Sequence, residues 1–405
     1  MRATGIIIGA GIFGSAIAYE LSRRGVKDLH VVDPDLEGTL SSTERNAGGV
    51  RHLWQQPVNV ELSRTSIRLF ETLKEEIGFQ QSGYLWLFSK EKREHGEKVF
   101  AHTQKMGLQY EKLSTDDIRK KYPFLDKLDD VAFAMFGSKD GLLNSNALKN
   151  YFRSEAKKRG VTFHDRMWVT NVTPKTGHGK THVEMHQAVS QAESDTWLRE
   201  PPTRESFTSQ AQVWEADFTI LCAGAWTRPI LLPMTNDPKV QPFRRQICLF
   251  KAEGFDMTPY GMVVDTSGVY FHAEGGNILA GLVLKNEASG FRFDYDPNFF
   301  EGHVWPALYE RSSQMERLKP ITGWGGLYSY SPDITGILGQ IPNQPGLYEA
   351  HGFTGHGLMH SYGAAVALGE LILDGRYQSI DAACLSRARF AGEDPSQLLP
   401  ETLHI

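Results

Sequence analysis

Near the start of the chain, Gly9-Ala10-Gly11-Ile12-Phe13-Gly14 has the spacing G-x-G-x-x-G, and Asp33 follows Gly14 by 19 residues. Gly9 permits a tight turn, Gly11 lets the backbone approach a pyrophosphate, and Gly14 lets a helix pack closely on a strand. A helix that begins there offers unpaired N–H groups and a positive dipole end to phosphates. An acid ending the next strand accepts from ribose hydroxyls and suits a free 2′-hydroxyl. The pattern reads as a dinucleotide site for NAD or FAD rather than NADP, and by itself it does not separate those two.

Other chemistries are poorly supplied. His356 and His360 have i, i+4 spacing, but no HExxH glutamate stands between them and Gly357 weakens the helix, so no metal site is read. The sequence has no GxSxG elbow and no GxxxxGK[ST] phosphate loop. Cys222, Cys248 and Cys384 are odd in number and far apart, which gives no disulfide framework and points to a reducing compartment.

The elements needed to position the motif are legible around it. Residues 5–8 are a β-branched run fit for a buried parallel strand, 15–24 a helix stopped by Gly25, and 29–33 a second strand ended by Pro34. That order is one βαβ unit. Helices are expected at 58–77, 115–121, 148–158 and 364–373. Strands are expected at 83–88, 131–136, 161–163, 168–169, 216–226 and 346–350, with recurring antiparallel strands over 246–284. Residues 175–212 are polar, contain Pro201-Pro202, and read as a surface excursion with weak strands.

The chain has 405 residues, of which 40% are hydrophobic and 22% charged, with a net charge of -5. That is globular composition of two to three domains' length, and it argues against a nucleic-acid binder. The apolar stretch at 5–18 carries four glycines and falls short of a bilayer span of about 20 residues. No transmembrane segment is read, and the expected location is cytoplasmic.

Three further segments resemble the D-amino-acid-oxidase and sarcosine-oxidase (DAO) superfamily of flavoproteins. They are Ser41-Ser42-Thr43-Glu44-Arg45-Asn46-Ala47-Gly48-Gly49-Val50-Arg51, Thr219-Ile220-Leu221-Cys222-Ala223-Gly224-Ala225-Trp226, and Gly352-Phe353-Thr354-Gly355-His356-Gly357-Leu358-Met359. Residues 264–271, 323–330 and 375–381 are similar to a mitochondrial branch of that superfamily tied to assembly of a respiratory complex. The resemblance implies an α/β fold with an α+β second domain. A doubly wound, Rossmann-like FAD-binding domain (1–82, 140–235 and 332–405) is interleaved with an antiparallel-sheet substrate domain (83–139 and 236–331).

It also implies roles for residues. Ser41, Ser42, Arg45, Asn46, Ala47 and Gly48 would contact the phosphates and ribityl chain, and Val169 would lie near the adenine. Ala223, Gly224 and Trp226 would end a strand beside the cofactor. Gly355, His356, Gly357, Leu358 and Met359 would present backbone N–H groups to the flavin pyrimidine edge, where a helix start stabilises negative charge. Relatives that attach flavin covalently have Cys where Gly326 aligns, or His in the segment that here reads Arg45-Asn46, so FAD is expected to be non-covalent. Oxidases carry a Lys where Leu279 aligns, which implies a dehydrogenase with an unidentified electron acceptor. A carboxylate-binding Lys of sarcosine oxidases aligns with Met359.

The implied reaction removes a hydride from the carbon beside nitrogen in a small amino acid or N-alkyl amino acid, such as sarcosine, glycine or proline, and delivers it to flavin N5. Arg51 aligns with a carboxylate-clamping Arg; an Arg on a flavin phosphate or in a salt bridge is the competing reading. Tyr328 aligns with a Tyr at the flavin face, with a core Tyr as the alternative. Of Tyr270 and His272, one is expected to face the cavity. His360 would replace part of the missing Lys function or stand behind the site. Arg244-Arg245 reads as a solvated pair or as an entrance lining. A flavin-stabilised assembly or scaffold protein and a 2-hydroxy-acid dehydrogenase remain alternatives on the same fold. The sequence does not give the oligomeric state.

Overall fold

The computed structural model describes residues 1–403 apart from residues 204, 205, 208, 236 and 393. The opening β-branched run forms the strand Arg2–Ile8, which pairs in parallel with Leu29–Val32 on one side and Gln212–Leu221 on the other. Gly5 is required inside it, because a Cβ there would lie 2.5 Å from the Phe218 ring. Thr162–His164 and Leu347–His351 extend the parallel sheet outward, and Ile337–Gln340 adds an antiparallel edge. Thr181–Gln187 joins by antiparallel pairing with Gln212–Leu221, and Met167–Thr173 pairs antiparallel with Thr181–Gln187. Strands whose neighbours are far apart in sequence need crossovers, and helices supply them.

The helices Ile12–Arg23, Ser145–Lys158 and Gly357–Asp374 pack together beside this sheet, with Pro57–Thr72 against the last of them. Gly363 permits that approach, since a Cβ would sit 2.3 Å from the Leu62 carbonyl oxygen. Its N–H donates to Ser66 Oγ at 2.9 Å.

The second sheet runs Leu318–Tyr330, Gln241–Ala252, Asn277–Leu282, Tyr270–Glu274, Met262–Val264, Tyr84–Ser89, Val131–Gly137, Glu111–Leu113. It is antiparallel except where Met262–Val264 meets Tyr84–Ser89. One face buries Phe250 and Phe271 with Phe299, Phe300 and Leu308. The other turns Tyr84, Trp86, Ile247, Met262 and Tyr270 into the core that also holds the first helix. All described strands of the first sheet fall within 2–32, 162–221 and 337–351; those of the second fall within 84–137 and 241–330.

Three expectations need correction. Residues 191–199 form a helix, Gln191–Arg199, capped by Ser190 Oγ on Glu193 N, and not part of a merely superficial excursion. Its Trp197 and Leu198 are buried, and a pair of apolar residues is too short a signal to show helical period. Arg93–Lys105 is a further helix that the sequence reading missed, its composition being mostly polar. The last helix starts at Gly357 rather than 364, because the glycine turn leads straight into it. No helix among the described residues is long and apolar enough to cross a membrane.

Candidate functional site

The glycine turn closes against the next two strands. Gly9 has φ +99°, a conformation that side chains disfavour, and a Cβ there would lie 2.7 Å from the Cys222 carbonyl oxygen. A Cβ at Gly14 would lie 1.8 Å from the Gly9 carbonyl oxygen, so Gly14 serves helix packing and stands outside the cavity above the turn. Ala10 N–H donates to Asp33 Oδ2 at 2.5 Å, which fixes the acid beside the turn. Asp33 keeps a surface toward the cavity, yet burial pushes its pKa up to about 6 despite N–H donation from Ala10 and Asp35. The helix that starts at Ile12 has no side-chain cap on its first turn from Gly11.

The segment after the second strand is stapled to the other sheet. Ser42 Oγ donates to the Leu327 carbonyl at 2.5 Å, Arg45 to the Gly325 carbonyl at 2.6 Å, and Trp324 Nε1 to the Arg45 carbonyl at 3.2 Å. Asn46 Oδ1 accepts from Gly48 N at 2.6 Å, and Thr43 Oγ1 accepts from Ile12 N at 3.1 Å.

At the far end of the chain, Gly355 has φ +84° and a Cβ there would fall 2.2 Å from the Tyr328 ring. Phe353 stacks on Phe13 of the opening turn, with ring centroids 4.4 Å apart. The first and last helices thus aim their N-termini at one space. One cavity runs through it, lined by Gly9, Gly11, Ile12, Phe13, Asp33, Ser41, Ser42, Arg45, Asn46, Ala47, Gly48, Arg51, Val169, Ala223, Gly224, Trp226, Tyr270, Tyr328, Gly355, His356, Gly357, Leu358 and Met359.

Three residues singled out in the sequence, His272, His360 and Leu279, lie outside the cavity lining; for His360 this is the second of its two readings, and His272 yields the cavity to Tyr270. His272 is 1% exposed and outside the lining; its Nδ1 lies 2.7 Å from the Ala273 carbonyl oxygen. It shares a strand face with Tyr270, but alternation sets the face and not the depth. His360 is fully buried behind the turn, with its Nδ1 3.0 Å from His356 Nδ1 and its ring against Trp54. Leu279 is 3% exposed, packs in the core and does not line the cavity. No lysine lines it among the described residues.

Arg51 is 2% exposed and lines the cavity. Its amino groups donate to the Leu53 and Leu403 carbonyls at 2.5 Å each, and the guanidinium lies 3.7 Å over the Trp54 ring. Burial lowers its pKa, and the structure gives it no ion pair within the described residues. Two bonds leave three of its five N–H donors for other partners. Tyr270 and Tyr328 are hydrogen-bond neighbours, and burial raises both phenols, which keeps them protonated.

Residues that sequence reasoning missed stand on the same wall. Tyr84, buried beside Arg51, lines it, as do Thr43, Met262 and Phe353. Arg244 is not part of a solvated pair: it is 7% exposed and ion-paired with Glu287 and Asp294. Arg245 lines the cavity and donates to Tyr330 Oη at 2.6 Å. Strand periodicity predicts such a reversal of faces between neighbours. Cys222 also lines the cavity, but burial holds its thiol protonated, which removes it as a nucleophile.

The donor set fits a flavin dinucleotide: a glycine turn under a helix start, an acid on the cavity wall beside it, and a second helix start bordering the same cavity. Comparison with known proteins agrees. The chain is 29% identical to the FAD-dependent oxidoreductase domain-containing protein 1 of Xenopus laevis, over 97% of this chain and 84% of that one. It is 25% identical to the monomeric sarcosine oxidase of Bacillus sp. (strain B-0618), over 92% of each. The fold matches that of L-proline dehydrogenase from P. horikoshii with a TM-score of 0.82 at 20% identity, covering 96% of this chain and 98% of that one. The model of the DAO family, described as FAD dependent oxidoreductase, matches residues 6–371. That span takes in the glycine turn, the stapled segment and the Gly355–Met359 turn together, and the chain therefore belongs to the DAO family of FAD-dependent oxidoreductases.

Proposed function

We propose that this protein oxidises the C–N bond of a small amino acid or N-alkyl amino acid and passes the electrons to an acceptor other than oxygen. The carrying observation is the wall on which Arg51, Tyr270 and Tyr328 converge beside Gly355. In this reading the Gly9–Gly14 turn and the first helix hold the pyrophosphate, and Asp33 holds the ribose. Residues 41–48 hold the ribityl chain, Val169 borders the adenine, and the Gly355–Met359 amides face the pyrimidine edge. Bound non-covalently, FAD supplies the two-electron acceptor for the hydride leaving the carbon next to nitrogen.

The protein's part is orientation and electrostatics. The remaining N–H groups of Arg51 hold the substrate carboxylate, and the Tyr328 phenol, beside Tyr270, borders it on the same wall. Trp54 and Trp86 cover the guanidinium from water, which strengthens that contact. That no lysine lines the cavity among the described residues supports a dehydrogenase. Sarcosine oxidase and proline dehydrogenase among the similar proteins support an amine substrate.

Anaerobic titration of the yellow protein with sarcosine, proline and glycine is expected to bleach the flavin band, and admitting air is expected to restore it slowly. Bleaching by 2-hydroxy acids but by none of a broad amine panel would replace the reading. Acid precipitation is expected to release the yellow colour into the supernatant.

A further inference from the structure

Four arginines line the cavity among the described residues, Arg45, Arg51, Arg153 and Arg245, and two of them, Arg51 and Arg245, act on the Tyr328 phenol. Arg51 follows the short strand Gly49–Val50, and Arg245 comes from Gln241–Ala252 of the other sheet. The only described carboxylates that line the cavity, Asp33 and Asp35, belong to the ribose end beyond Leu29–Val32. Arg244 takes the nearby acids: Glu287 and Asp294 pair with it, leaving Arg245 to a phenol and a carbonyl.

Arg245 is also built into place. Its guanidinium lies 4.9 Å over the Tyr330 ring and 5.5 Å over that of Tyr328. Its Nε is shielded from solvent and has no hydrogen-bond partner. Across the strand pair it stands opposite Gly326, which also lines the cavity and where a Cβ would lie 3.1 Å from that of Arg45. Arg245 is half-buried, and a guanidinium with an unused donor facing a cavity is a ready partner for an anion. Tyr328 lies between the two, its hydroxyl under the field of both Arg245 and Arg51.

We propose that Arg245 is a specificity-determining residue that binds a second carboxylate, so that the preferred substrate is a dicarboxylic amino acid or an N-carboxymethyl amino acid. This rests on the amine-oxidising reading above, with Arg51 taking the first carboxylate.

The test compares iminodiacetate, aspartate and glutamate with their uncharged shape matches N-propylglycine, asparagine and glutamine, using the holoenzyme and an artificial electron acceptor. The charged member of at least one pair is expected to have a kcat/KM about ten- to a hundredfold higher. Arg245→Met is expected to bring that ratio close to one, and Arg245→Lys to restore part of it. A parallel titration follows the flavin absorption band with malonate, succinate and glutarate against propionate and butyrate. It is expected to show the same preference and the same loss. A wild-type ratio at or below one in both assays, or a ratio unchanged in a folded, yellow Arg245→Met protein, overturns the proposal. If no amine bleaches the flavin while the dicarboxylate preference persists in the titration, the amine reading fails and the assignment of Arg245 stands.

Discussion

Asp33 is an acid under two opposing demands. Burial raises its carboxyl to about 6, while N–H bonds from Ala10 and Asp35 favour its ionised form. Because the folded-state value lies above the ordinary carboxylate range, ionisation costs the protein without cofactor, and its stability from this group falls as pH rises from about 4 through 6. Cofactor binding runs the other way, since ribose hydroxyls donate best to the ionised carboxylate. Affinity for FAD, measured by fluorescence quenching, is expected to rise through pH 6 by up to about tenfold per unit. Asp33→Asn is expected to flatten both dependences. This residue was readable from sequence because turn, helix and acid all belong to one crossover, in which spacing alone fixes place. Which of Arg244 and Arg245 faces the cavity was not, nor was the place of Tyr84, because their neighbours come through strand register from distant segments.

The turn at Gly355 shows how an element sets the site. Its φ of +84° alone would strain an alanine, and the Cβ would also drive into the buried Tyr328 ring at 2.2 Å. Gly375, which ends the same helix at φ +69°, has open space around it. Gly355→Ala is expected to lose about 2–4 kcal/mol of stability and most of its yellow colour, read by chemical denaturation and absorbance. Gly375→Ala is expected to cost only about 1 kcal/mol and to keep the colour. The helix itself was legible as an apolar run, but its true start was not. It opens on Gly357, the last residue of the Gly-His-Gly turn that lines the cavity, and glycine argues locally against helix. Helical spacing likewise put His360 one turn beyond His356 without revealing that Trp54 lies over both.

Across the whole molecule, the two sheets are joined through the cavity wall, by Ser42 and Arg45 to the strand Leu318–Tyr330. The C-terminal residues reach the same wall. Glu401 accepts from Gln55 and Gln56 N–H at 3.0 and 3.3 Å and from Asn59 Nδ2 at 3.1 Å, and Leu403 supplies its carbonyl to Arg51. Deleting residues 401–405 leaves those donors without their acceptors. It is expected to lower stability by at least about 3 kcal/mol in urea titration and to weaken carboxylate ligands more than FAD. The tail's part was invisible in the sequence, where a short polar stretch carries no period and no motif.

The meeting of Phe13 with Phe353, and of Arg51 with Leu403, has a bearing on biosynthesis. A ribosome delivers the phosphate-gripping turn first and its counterpart hundreds of residues later. Until the final stretch has left the exit tunnel, the emerging polypeptide owns only half a binding place. Vitamin-derived prosthetic group and polypeptide therefore join only once both segments have emerged, and scarcity of riboflavin would leave colourless chains rather than stalled ones.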